Sequence, residues 1–272
     1  MRFLPRPLLL VLVLGLAAST SAQPAVEAPL NRVLGAVVGA DGLVDYSLLA
    51  RQHADDLGAA LNAIGTTDPA SLRSDAQKTA FLLNAYNAHV LKRVVDSPRA
   101  RNLERQNLFE AFFETPVRVA GQQITLNQLE HGILRRQNRV DGTSVPSSAR
   151  GLRPSRLDPR VHAGLNCAAV SCPPLVREAF TATRVSGQLD RAWRAFLGSS
   201  RATRVEGNRV VVSSIFDWFA EDFERDGTPL GDRLAVASSS LRVQRVLQGK
   251  TIVAMRRAGD VRFAYDWTVN RR

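Results

Sequence analysis

"SDAQKTAFLLNAYNAHVLKRVVDSP", residues 74–98, is the stretch on which the fold turns. Ser74 is a residue type that caps helix N-termini and Pro98 marks a stop, so the segment reads as one helix. Phe81, Leu82, Leu83, Ala85, Ala88, Val90 and Leu91 cover nearly its whole circumference, the pattern of a helix buried at the centre of a domain. Asn84 and Asn87 break that pattern. Spaced i and i+3, they share one face, and a buried amide without partners costs a few kcal/mol. They are expected to anchor a polar network.

Toward the N-terminus, "LVDYSLLARQHADDLGAALNAIG" (43–65) carries Leu57, Ala60, Leu61 and Ile64 at helical spacing, with Asp55 and Asp56 on the other face. Residues 23–42, with Pro24 and Pro29, read as a lead-in holding one short helix. Before them, Arg2 and Arg6 precede an apolar run from Leu8 to Ala18, and small residues continue to Ala22. That is the pattern of a secretory signal peptide over 1–22, and the run is too short to span a bilayer. The expectation is a periplasmic or secreted protein with no transmembrane anchor, whose single domain covers 43–272.

Toward the C-terminus, "VRVAGQQITL" (117–126) alternates about Gly121 and predicts a hairpin. "TLNQLEHGILRRQ" (125–137) predicts a helix capped by Thr125, with Glu130 on the edge of its apolar face and therefore in need of a partner. "SGQLDRAWRAFLGS" (186–199) and the aromatic "SSIFDWFAEDF" (213–223) read as helices, "TRVEGNRVVVSS" (203–214) as a hairpin turning at Gly207 and Asn208, and "VRFAYDWTVN" (261–270) as a closing strand. Trp193, Trp218, Phe219 and Phe223 read as packing residues. Helices dominate and strands come in hairpins without βαβ alternation. The class is α+β, a helix-rich single domain with antiparallel β-hairpins forming a small sheet.

The formal net charge is +11, and 33 of the 36 basic residues are arginines scattered through the chain. Without a basic tract or a nucleic-acid-binding motif, that balance describes a solvated surface, and no nucleic-acid partner is expected. A cell-envelope peptide or polymer is the partner class left in view, and no cofactor is expected.

Five phrases fall into a family pattern: "VDYSLL" (44–49), "FLLNAYNAHVL" (81–91), "ITLNQLEHGILR" (124–135), "DPRVHAGLNCAAVSCPPL" (158–175) and "YDWTVN" (265–270). In this order they resemble domain-of-unknown-function family 547. The resemblance implies a bacterial exported domain and carries over Asn84, Tyr86, Asn87, Glu130, His131, Arg135, His162, Asn166, Cys167, Cys172 and Pro173 as motif positions. Ala169 departs from it, standing where a small hydroxyl residue is expected.

Chemistry concentrates in "VHAGLNCAAVSCPPL" (161–175), which holds both cysteines. A nucleophilic Cys167 needs an adjacent base. No histidine follows it, so papain-like order is excluded. On a strand, an offset of five would put His162 and Cys167 on opposite faces, which favours His131 as base over His162. Asn84, Asn87 or Glu130 would orient the imidazole. Tyr86, Asn87, Arg135, Asn166 and Cys172 complete the candidate set as binding positions.

Three readings stand side by side. The first is a cysteine-dependent hydrolase or acyltransferase acting on a peptide or amide-like envelope substrate. The second is a non-catalytic periplasmic structural or binding protein with a Cys167–Cys172 disulfide, structural or redox-active, as an even cysteine count in an oxidising compartment suggests. The third, zinc held by both cysteines with His162 and His131, has ligands too dispersed for a signature, and no metal site is expected.

Overall fold

A computed structural model describes residues 25–272; the signal-peptide reading over 1–22 lies outside them. The helix Asp75–Asp96 is the centre of the molecule, with Ser74 and Gln77 closing a reciprocal capping box at its start. Its apolar residues are buried on all sides, as the sequence pattern required. Helices Glu27–Val37, Tyr46–Gln52 and Ala54–Thr66 pack around it, the last two interrupted at His53. Asp45 caps Tyr46–Gln52 by accepting from the Leu48 amide.

Strands are short and fall into three separate sheets. Val117–Val119 and Gln122–Ile124 form the first hairpin, and Ala120 and Gly121 at its turn both take positive φ, the conformation that matches strand twist. Arg139–Val140 and Thr143–Ser144 form a second. The third sheet pairs Thr203–Glu206 with Arg209–Ser213 through the turn at Gly207 and Asn208. Its last strand, Val261–Ala264, runs parallel to Arg209–Ser213. The expectation of hairpins therefore holds, but they do not merge into one sheet: the first packs on the helix Ala54–Thr66, the second touches the helical turn Gln128–Leu134, and the third lies on the C-terminal helices.

Two apolar clusters fill the interior. One gathers around the central helix; the other lies between the helix Val185–Leu197, the third sheet and the C-terminal helices. Val176 packs against both. Segment 161–175 crosses between them, and the site lies there. No described helix is long and apolar enough to cross a membrane.

Candidate functional site, a cleft with a cysteine pair in its wall

The buried asparagines build the frame. Asn84 pairs with the backbone of Phe180 as a strand would: its amide donates to the Phe180 carbonyl at 2.8 Å and its Oδ1 accepts from the Phe180 N–H at 2.9 Å. Asn87 does the same for the cysteine segment, donating to the Gly164 carbonyl and accepting from the Asn166 N–H, each at 2.9 Å. Asn166 in turn donates to the Pro173 carbonyl and accepts from the Ala168 N–H and the Asn270 amide. Asn270 accepts from the Tyr46 hydroxyl at 2.7 Å. All four asparagines are at most 4 % exposed. The polar network expected of Asn84 and Asn87 exists, and their side chains bond to backbone groups.

Beside this frame opens a cleft of about 490 Å³. Of the candidate residues, Tyr86, Glu130, His131, Arg135, His162 and both cysteines line it; Asn84, Asn87 and Asn166 do not. Its polar wall comes from Gln128–Leu134, which winds as a π-helix, with the Arg135 N–H reaching back five residues to the Glu130 carbonyl. Thr125 caps it by accepting from the Gln128 amide, as expected. Single π-turns recur at functional sites because the wider winding turns side chains off the regular helical face. Here it sets Glu130, His131 and Arg135 along the cleft.

Glu130 finds the partner its position demanded in the Tyr86 hydroxyl. Burial raises the Tyr86 phenol well above its ordinary value and the Glu130 carboxylate raises it further, so it stays a hydroxyl donor. Arg135 Nη1 donates to His131 Nδ1 at 3.1 Å, and its Nε to Asp222 Oδ2 at 2.5 Å. Asp222 Oδ2 also accepts from His162 Nε2 at 2.8 Å. Burial disfavours the Asp222 carboxylate, but the His162 and Arg135 hydrogen bonds outweigh it and hold the carboxyl below its ordinary range. Phe219 lies within this group, stacked on the His162 ring at 4.2 Å with the Arg135 guanidinium 4.7 Å from its centroid.

His162 therefore faces the cleft, although strand parity had set it aside as base. Residues Val161–Gly164 form a turn of helix, so the alternation of a strand does not apply. Its Nε2 is committed to Asp222, not to sulfur.

Cys167 and Cys172 stand at disulfide-bonding distance, their Cα atoms 6.2 Å apart and within the usual range. Between them Ala168 takes a left-handed φ of 63°, which reverses the chain. The Tyr265 hydroxyl donates to both sulfurs, at 2.9 and 3.0 Å. An aromatic group also lines the cleft: Trp218, Tyr265 and Trp267 contact one another at centroid distances of 4.6 to 5.7 Å, and Trp218 is 46 % exposed. Asp222, Trp218, Phe219, Tyr265 and Trp267 belong to the site and were not among the candidates read from the sequence. Among the described residues no cluster of three or more His, Cys, Asp or Glu is placed to hold a metal.

Fold and cleft together define a helix-rich α+β protein with a half-aromatic, half-charged pocket and a cysteine pair in its wall. Residues 69–197 match the family model described as "Protein of unknown function, DUF547", the family that the motifs resemble. Three of the five motif phrases lie within the match; "VDYSLL" and "YDWTVN" lie outside it. No curated protein and no solved structure matches the chain.

Proposed function

We propose that this protein is an extracytoplasmic binding protein that takes a peptide or amide-like envelope ligand into the cleft. One observation carries the reading: the cysteines that would supply a nucleophile are paired with each other in the wall of a cleft that otherwise has the make-up of a binding site. A bonded sulfur has no proton to lose and no thiolate to attack with. The cleft volume falls in the range of small-ligand sites, so it suits a short segment and not a folded domain. Aromatic faces at Trp218 and Trp267 suit planar amide groups and rings, and the Glu130 carboxylate and His131 imidazole offer polar partners in the same cleft. The location rests on Arg2, Arg6 and the apolar run that follows.

The hydrolase or acyltransferase reading keeps one supporting observation, that Cys167, His131, Glu130 and His162 line the same cleft. It requires the cysteine pair to be reduced first, and an orienting group other than Asn84.

Titration of intrinsic tryptophan fluorescence with short peptides from a cell-wall digest tests the binding reading. A saturable change that weakens about tenfold in Trp218→Ala, the scale of one lost aromatic contact, is expected. No saturable response to any of the peptides contradicts it.

A further inference from the structure

The cysteine bridge sits where a purely structural bond has little to add. Hydrogen bonds hold the loop without it: the Asn166 side chain ties Ala168 to Pro173, the Val170 N–H donates to the Thr268 carbonyl at 2.8 Å, and Arg201 donates to the Cys172 carbonyl at 3.0 Å. The sequence separation is only five, the short end of the range over which a crosslink restrains an unfolded chain.

What the bond does have is access and polarity. Cys167 is partly exposed in the cleft, while Cys172 is 2 % exposed. Besides the Tyr265 hydroxyl, Cys172 Sγ receives the Cys167 N–H at 2.9 Å. A disulfide sulfur is a weak acceptor and a thiolate a strong one, so these donors gain most when Cys172 carries the charge. Burial raises the Tyr265 phenol far above its ordinary value, which keeps the donor proton in place. The Arg201 charge on that side favours a thiolate; the Glu130 carboxylate, also felt by Tyr265, opposes it.

We propose that Cys167–Cys172 is an exchange-active disulfide that oxidises a thiol-bearing ligand in the cleft, with Cys167 as the sulfur attacked and Cys172 as the leaving thiolate. An incoming thiolate bonds to Cys167 Sγ. The Cys167–Cys172 bond breaks, and its electron pair goes to Cys172 Sγ, held by the Cys167 N–H and the Tyr265 O–H. A second ligand thiolate attacks the ligand sulfur of the mixed disulfide, releasing the ligand disulfide and leaving Cys167 as thiolate. Two thiols are oxidised, and the cysteine pair gains two electrons and the two protons the thiols gave up. This activity goes beyond ligand binding and does not depend on which peptide the cleft takes.

The test incubates the folded full chain with reduced glutathione, quenches with iodoacetamide at intervals and maps the modified peptides by mass. Opening without denaturant, with glutathione attached to Cys167, is the expected result. Tyr265→Phe should slow opening about tenfold, the loss of one hydrogen bond to a charged acceptor. Should that variant not fold, the single-cysteine variants decide: with oxidised glutathione, Cys172→Ser should be modified at Cys167 at least about tenfold faster than Cys167→Ser at Cys172, a ratio set by access. A bond that resists glutathione until the chain is unfolded, a mixed disulfide on Cys172, or equal rates for the two single-cysteine variants overturns the proposal. Because the binding titration works with peptides lacking a thiol, either reading can fail without the other.

Discussion

Two polar regions meet at segment 161–175 and use similar side chains for opposite ends. In the asparagine frame, Asn84, Asn87, Asn166 and Asn270 are buried and engaged, mostly by backbone groups. In the cleft, Glu130, His131 and Arg135 are bonded mainly to other side chains and reach solvent. A polar group spent on backbone is architecture. A polar group held by side chains and left open on one side can exchange a partner for a ligand. The difference teaches where to look for function within a single motif family: Asn87 lies one residue from Tyr86 and serves the fold, while Tyr86 faces the cleft.

The sharpest break in that comparison is Asn87→Ala. It leaves the Gly164 carbonyl and the Asn166 N–H buried without partners, and at about 1–3 kcal/mol for each group it should cost about 4 kcal/mol in urea denaturation. A loss below about 1 kcal/mol would mean that the frame is not structural. Next in size is Asp222→Ala, which strands Arg135 and His162; breaking a partly buried charge pair should cost about 3 kcal/mol at pH 7. Because the folded-state carboxyl is depressed, its contribution is fully present above the ordinary carboxylate range and is lost as pH falls through the folded value. The gap between wild type and Asp222→Ala should therefore close below about pH 4, and one that stays open in acid would deny that a carboxylate holds the pair.

Smaller effects separate cleft from frame. Replacing both cysteines by serine should cost at most about 2 kcal/mol, the chain-entropy scale for so short a loop, since Asn166 and Arg201 still hold it. A collapse of the fold in that variant would make the bridge part of the frame. Smallest is Trp218→Ala. Nearly half exposed, it should change stability by no more than about 0.5 kcal/mol while weakening binding, and a thermal shift as large as that of Asn87→Ala would move it into the core.

Much of the frame was legible because its signals are local. The helix Asp75–Asp96 shows its cap, its stop and its apolar circumference within one stretch, and the two asparagines announce their network by interrupting it. The turns at Gly121 and Gly207 sit between alternating residues, which is enough to place hairpins. Glu130 and its need for a partner could be read from helical spacing. The cleft was legible only in part, because its decisive contacts join distant positions: His162 to Asp222, and Cys167 to Tyr265. Asp222 follows an aromatic run that reads as core, and Tyr265 falls in a stretch whose alternation reads as a strand without a site, although the strand ends at Ala264. Trp218 has core composition around it, yet stacks on Trp267 at the cleft's edge. Strand parity misplaced His162 because a four-residue helical turn leaves too little sequence to show its period.

Intact mass of the folded protein after treatment with iodoacetamide, with no reductant at any stage, tests the central claim most directly. An unmodified mass is expected, since each sulfur is bonded to the other. Two alkyl groups on Cys167 and Cys172 would contradict it and return the cleft to a thiol nucleophile.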